Sequence, residues 1–181
     1  MAVGRIAERY AGPLLDLAQD QKVEDAVKSD MEAFVKLCQE NREFVLMLKS
    51  PVIPHLRKGE ILKKIFQGKI QQLTGKFFEI IVRKNRESIL PEVAGHFLRL
   101  YNESKGIQEA KLTTSVAIDS ALRKDFEKLV KSLSGKEPEL EERVDPEILG
   151  GYQLELGDRK IDSTVRGQLR SLKLRFSRNN N

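Results

Sequence analysis

The residues that could do chemistry are few and far apart. The chain carries two histidines, His55 and His96, and a single cysteine, Cys38. A metal centre needs ligands at short, fixed spacings, and neither histidine has a cysteine or a second histidine so placed. One cysteine excludes an internal disulfide, and Cys38 lies on a helical apolar repeat, where it reads as a small core side chain rather than a nucleophile. Glu139, Glu141 and Glu142 could supply an acid/base pair, but they fall in a strand-like stretch and read as a solvated edge. A phosphate cradle is missing too. Gly68-Lys69-Ile70 and Gly75-Lys76-Phe77 lack both the earlier glycine and the hydroxyl after the lysine. With no tryptophan and three tyrosines, platforms for stacking single-stranded bases are scarce. No catalytic constellation, metal or cofactor is expected.

Composition narrows the class. A chain of 181 residues, 40% hydrophobic and 33% charged, reads as globular rather than disordered. No apolar run approaches the roughly 20 residues of a spanning helix. The N-terminus, Met1 to Tyr10, mixes charges into its apolar positions and lacks a signal peptide's apolar centre. That start at Met1 leads us to expect a bacterial cytoplasmic protein. The net charge of +5 is localised: Arg159 to Asn181 holds seven basic residues and one acidic, and the rest holds 25 basic and 26 acidic. Either these cations solvate a helix face and suit its C-terminus, or they dock an acidic partner or lipid headgroups.

The elements that would position any site come in two styles. Val3, Ile6, Ala7, Tyr10, Ala11, Leu14, Leu17 and Ala18 repeat at three and four, giving an amphipathic first helix. Pro13 cannot donate to the carbonyl of Arg9, so this helix either kinks or breaks there. Val23 to Cys38 marks a second helix, and Phe44, Val45 and Leu48 a short third. Pro51 and Pro54 interrupt, and a fourth restarts near His55 with Leu62, Ile65 and Phe66 inside. Leu73, Phe77, Ile80 and Ile81 give the fifth. Leu90 to Tyr101 gives the sixth, stopped by Gly106. These six helices make an all-α bundle over residues 1–105.

After Gly106 the period changes. Ala110, Leu112, Thr114, Val116 and Ile118 alternate with polar residues as a strand does. Asp119 and Ser120 can cap a helix carrying Leu122, Phe126, Leu129 and Leu133, and Pro138 to Val144 is a weaker strand suited to a sheet edge. Gly150 and Gly151 then open a strand in which Tyr152, Leu154 and Leu156 alternate, where glycine suggests a bulge or close backbone approach. Gly157-Asp158 is a two-residue hairpin loop, and Arg159 to Ile161 returns. Asp162 and Ser163 can cap a last helix whose Val165, Leu169, Leu172 and Phe176 step by four, three and four. Residues 106–181 thus form a small α/β domain, and the fold class is mixed.

The wording of that last stretch resembles the C-terminal signature of the delta subunit of F-type ATP synthases, whose mitochondrial counterpart is the oligomycin-sensitivity-conferring protein. The matching phrases are Val144-Asp145-Pro146, Ile148-Leu149-Gly150-Gly151, Gly157-Asp158, and Ile161-Asp162-Ser163 with Val165-Arg166. Arg9-Tyr10-Ala11, Pro51-Val52-Ile53, Leu90-Pro91 and Leu100-Tyr101 also read like the family's N-terminal domain; Gly12-Pro13 departs from it.

The resemblance implies a non-catalytic stator linker at the top of the synthase. Its helical domain would hold the N-terminal segments of the alpha subunits, and its C-terminal domain the distal end of the peripheral stalk, subunit b. It also implies an alpha-binding groove between the first and fifth helices, with Tyr10, Ala11, Leu14, Phe77, Ile80, Ile81 and Lys84 as its expected lining; those residues would otherwise be ordinary core. Leu169, Arg170, Leu172, Lys173 and Phe176 are the expected stalk contacts. Gly150, Gly151, Asp162 and Ser163 read as architectural, and Arg166 as bonding locally near Asp162 or the sheet edge. The expected setting is the cytoplasmic side of a bacterial plasma membrane, reached only through the complex, with the isolated chain a monomer and no nucleic acid bound. A competing reading is a nucleic-acid adaptor using the basic C-terminal helix, against which stands the near-neutral body; a small enzyme of unknown type is the third.

Overall fold

The computed structural model describes the backbone of residues 2–179 and the side chains of residues 4–173. The chain divides into two compact units, Met1–Tyr101 and Asn102–Asn181. The first is helical: α1 (Ala2–Asp20), α2 (Glu24–Glu40), α3 (Arg42–Lys49), α4 (His55–Phe66), α5 (Gln72–Arg83) and α6 (Leu90–Lys105), with a 3-10 turn at Glu87–Ile89. Pro13 sits inside an unbroken α1, so the reading of two helices falls. Pro13 and Arg9 are both exposed, and water can satisfy the carbonyl that the proline leaves without a donor.

Apolar residues at three- and four-residue spacing turn inward and meet on an aromatic centre. The Phe34 ring of α2 lies 5.9, 5.8 and 5.3 Å from those of Phe44, Phe66 and Phe78. These separations and tilted or edge-on angles are those that ring quadrupoles favour. Phe34 itself is fully buried, a side chain whose removal from water contributes about 1.5–3 kcal/mol. Two polar contacts tie helices together inside this core. Lys58 of α4 donates to Glu87 Oε1 at 2.7 Å and to the Leu48 carbonyl at 2.9 Å, all of it buried. Asp30 of α2 accepts from the Gln71 backbone N–H and the Thr74 hydroxyl at the start of α5.

The second unit is a sheet with one covered face. It runs β1 (Ile107–Thr114), α7 (Ser120–Ser134), β2 (Glu137–Val144), β3 (Tyr152–Leu156), β4 (Arg159–Asp162) and α8 (Val165–Asn179). The strand order is β2-β1-β3-β4, with β1 and β2 parallel and the other pairs antiparallel. Parallel pairing needs a crossover, and α7 supplies it. Ala110, Leu112, Leu154 and Leu156 face Val130 of α7, with Phe126, Leu129, Ile118 and Tyr152 packed around them.

On the other sheet face the side chains carry charge. Glu141, Lys111, Glu155 and Lys160 stand in one row across all four strands, alternating in sign. Lys111 reaches Glu141 at 3.2 Å and Lys160 reaches Glu155 at 2.8 Å. Opposite charges directly across strands stabilise a sheet modestly, and this face needs no cover.

β1 ends earlier than the alternation of residues 110–118 suggests. Its last rung is the Asp145 N–H donating to the Thr114 carbonyl, and the Thr114 hydroxyl then bonds the Val116 carbonyl at 2.7 Å to close a turn. Val116 is left exposed, while Ile118 reaches the core from the loop.

Candidate functional site

The expected groove residues divide sharply by burial. Ala11, Leu14 and Ile81 are in the core, at 0%, 2% and 0% exposure, and Phe77 is buried at 9%. These four hold the bundle together and offer no surface to a partner; that expectation is corrected because their side of each helix meets the other helices. Ile80 is different. It stands one residue away on the outward side of α5 and is 50% exposed, with Lys84 exposed a turn later. Tyr10 is half-buried on α1, and its hydroxyl makes no hydrogen bond among the described residues, while Leu17, two turns on, is exposed. The outward surface on these helices is therefore Tyr10 and Leu17 on α1, and Ile80 and Lys84 on α5. α5 packs chiefly on α4, with further contact to α2 and the 3-10 turn, and α1 packs on α2.

A groove of about 900 Å³ runs along the α4–α5 hairpin, floored by Leu62, Phe66 and Phe78. Gly59 makes it possible for the helices to close up there, since a Cβ at that position would lie 3.1 Å from Val82 Cγ1. Lys63 spans the groove to Glu79 at 2.8 Å, and that hydrogen bond with its charge holds the Glu79 carboxyl below the usual range.

In the second unit the glycine pair does its work through the backbone. Gly151 has φ +83°, and a Cβ there would sit 2.3 Å from the Ser163 carbonyl oxygen. Only glycine allows that approach. The chain before β3 is thereby laid against the entry to α8, where Ser163 N–H donates to the Tyr152 carbonyl at 2.9 Å and Val165 N–H to the Gly150 carbonyl at 3.1 Å.

The helix cap is Thr164 rather than Ser163. The Thr164 hydroxyl accepts from the Gly167 N–H at 3.0 Å, and Asp162 Oδ1 in turn accepts from the Thr164 hydroxyl at 2.7 Å and its N–H at 3.0 Å. Those bonds, the hydroxyl's first, hold the Asp162 carboxyl below the ordinary aspartate range. The sequence offers Asp162 and Ser163 for this role, but Gly151 lies against the Ser163 backbone, and Thr164 supplies the capping hydroxyl. Gly167 is the overlooked partner: a Cβ there would lie 2.7 Å from the Asp162 carboxylate. Arg166 is exposed and, among the described residues, bonds neither Asp162, whose Oδ1 takes Thr164, nor the sheet edge. The local role expected of it is corrected.

Along α8 the side chains of residues 168–173 are all exposed, including Leu169 at 62% and Leu172 at 47%, with Arg170 and Lys173 beside them. The Phe176 side chain lies outside the described residues.

Of the carboxylates first weighed for chemistry, Glu141 pairs with Lys111 and Glu142 with Arg123. His96 shares a 3.0 Å hydrogen bond with Arg99. Burial first, and then the Glu92 charge, pushes the Cys38 thiol up to about 11, although Lys49 pulls the other way. A thiol so held stays protonated and is a poor nucleophile at neutral pH. Among the described residues no group of three or more His, Cys, Asp or Glu could hold a metal, and no helix is long and apolar enough to cross a membrane.

Comparison with known proteins bears on both units together. The family model described as ATP synthase delta (OSCP) subunit matches residues 6–176. A protein of Cytophaga hutchinsonii called ATP synthase subunit delta is 34% identical over 173 residues, covering 96% of this chain and 94% of that one. One of Flavobacterium johnsoniae with the same name is 33% identical over 177 residues, covering 98% and 99%. A chloroplastic ATP synthase subunit delta of Ochrosphaera neapolitana is 31% identical over 173 residues, covering 95% and 97%. In fold, the chain is similar to one in the cryo-EM structure of the Toxoplasma gondii mitochondrial ATP synthase hexamer, with TM-score 0.72, 24% identity, and 94% and 96% of the two chains covered. A match that runs through the helical unit, the sheet and the glycine-led turn into α8 places this chain in the ATP synthase delta (OSCP) subunit family.

Proposed function

We propose that this chain is the non-catalytic stator linker of an F-type ATP synthase. The helical unit takes the N-terminal segments of the alpha subunits, the sheet unit takes the distal end of peripheral-stalk subunit b, and the pair resists rotation of the catalytic hexamer during proton-driven ATP synthesis. The isolated chain is a monomer and meets the membrane only through the complex, on the cytoplasmic side of a bacterial plasma membrane.

The observation that carries this reading is that each unit leaves large apolar side chains outward on a helix: Ile80 and Leu17 on the first, Leu169 and Leu172 on the second. Outward apolar residues at helical spacing are what an amphipathic partner helix anchors on. Tyr10 adds a half-buried ring with a hydroxyl still to be satisfied, a combination common where one end of a contact is apolar and the other polar.

Titration of the full chain with a peptide of the alpha-subunit N-terminus, followed by residue-resolved amide shifts, tests it. Shifts should centre on Tyr10, Leu17, Ile80 and Lys84, and Ile80→Glu should abolish binding while helical content stays near wild type. Unchanged affinity in Ile80→Glu would sink the assignment of this surface, and no binding at all would sink the alpha-subunit reading.

A further inference from the structure

The described stretch of α8 is open to solvent. Beyond the cap at Thr164, residues 168–173 are exposed on every side of the helix. A fifteen-residue helix that contains Gly167 and Ser171 and leaves that stretch uncovered is marginal in water. A partner surface laid over that stretch would stabilise it.

The pattern on α8 says what that surface is. Val165, Leu169 and Leu172 step by four and three and are exposed at 45%, 62% and 47%. Two apolar positions in seven make the narrow seam of a coiled coil, whereas a helix lying in a lipid interface needs a broader apolar face. With Leu169 and Leu172 at the two seam positions, Arg166 and Lys173 fall one heptad apart at the same flanking position, where charge selects the partner. Arg166 and Arg170 form no ion pair among the described residues, and no acidic residue stands between Ser163 and Lys173. The chain beside the N-terminal end of α8 carries one more exposed apolar side chain. Leu149, 79% exposed, precedes Gly150, whose carbonyl accepts from the Val165 N–H and which lies close to Val165 Cγ2.

We propose that α8 binds a single partner helix as one strand of a coiled coil, and that this partner carries acidic residues at the positions flanking its own apolar seam, with Leu149 closing the seam at the N-terminal end of α8. The inference rests on the reading that the sheet unit meets the stalk, and it names the chemistry and geometry of that contact.

The probe is a synthetic four-heptad peptide with Leu at its seam positions and Glu at its flanks, with a twin carrying Lys at the flanks. Fluorescence anisotropy against the full chain should show the Glu peptide binding and the Lys peptide at least tenfold weaker. Arg166→Glu with Lys173→Glu should reverse that order. Leu149→Ser, which leaves α8 itself untouched, should weaken the Glu peptide several-fold. Equal binding of the two peptides, no binding of the Glu peptide, or preferential binding of wild type to phosphatidylglycerol vesicles overturns the proposal. Stalk subunit b is titrated alongside. Binding of b that ignores the double substitution overturns this inference alone, whereas no binding of b overturns the stalk reading beneath it.

Discussion

Asp30 on α2 closes the N-terminus of α5: its Oδ2 accepts from the Thr74 hydroxyl at 2.6 Å and from the Gln71 N–H at 2.8 Å, across more than forty residues of chain. A helix start leaves several N–H groups without partners, and Gln71 at the cap position bonds none of them with its own side chain. The carboxylate also suits the positive end of the helix dipole. Asp30→Ala would leave a fully buried Thr74 hydroxyl and an amide unsatisfied, at a cost of about 1–3 kcal/mol. Urea melts should show that loss, with Asp30→Asn milder because an acceptor remains. A change in Asp30→Ala below roughly 0.5 kcal/mol, the scatter of ordinary surface substitutions, would show that water replaces the carboxylate.

The buried Lys58–Glu87 pair should behave asymmetrically under single and double substitution. Its side chains are 4% and 7% exposed, and the second carboxylate oxygen, Oε2, has no partner among the described residues. Removing one member strands the other charge, which costs about 3–5 kcal/mol, whereas replacing both by apolar residues is often close to neutral. Lys58→Met and Glu87→Leu should therefore each destabilise strongly, and the double variant less than either. A double variant as unstable as the sum of the singles would mean that the pair is not coupled.

Gly151→Ala should unfold the second unit selectively. The positive φ disfavours any side chain, and the 2.3 Å approach to the Ser163 carbonyl is to backbone, which cannot swing aside. Hydrogen exchange should show amides of β3, β4 and α8 losing protection while those of α2 and α5 keep theirs. Protection retained in β3 would mean the turn has an alternative path.

The Asp162 carboxylate that holds the Thr164 cap gives α8 a pH dependence with a definite sign. The folded carboxyl is held below its unfolded value of about 3.9, so its contribution is present above that value and is lost as pH falls through the folded one. Gly167 and Gln168 amide protection should therefore fall on acidification below about pH 4. Asp162→Asn should show a flat profile over the same range. If wild type and Asp162→Asn titrate alike, another group governs the helix start.

What the sequence disclosed follows from which contacts are local. The helices, the glycine stop at Gly106, and the alternation of Tyr152, Leu154 and Leu156 are legible because each depends on neighbours within a turn or a pleat. Asp30 closing α5 was not, since nothing near Asp30 signals a helix start forty residues on. β1 reads longer than it is because Val116 and Ile118 are β-branched, whereas the Thr114 hydroxyl turns the chain by bonding the Val116 carbonyl. The site suffered most. Periodicity marks the apolar stripe of α1 and α5, but which residues within it are sealed depends on the helices packed against them, so the stripe alone does not separate Ala11, Leu14, Phe77 and Ile81 from Ile80.

Ile80 and Ile81 turn that distinction into a measurement. They are adjacent and identical in chemistry, yet one is 50% exposed and the other 0%. A glutamate at position 80 can keep its charge in water, so stability should stay within about 1 kcal/mol of wild type. At position 81 the same carboxylate would be buried without a partner, and such a charge costs several kcal/mol even after relaxation. Thermal unfolding should therefore separate Ile80→Glu from Ile81→Glu by far more than Ile80→Glu differs from Ile80→Ala. The binding assay then reads the other side of the same helix: alpha-peptide affinity should vanish in Ile80→Glu, which is folded, and persist in the conservative Ile81→Val, which changes only the core. Loss of binding in Ile81→Val with retention in Ile80→Glu would put the partner on the opposite face of α5 from the one its exposed side chains indicate.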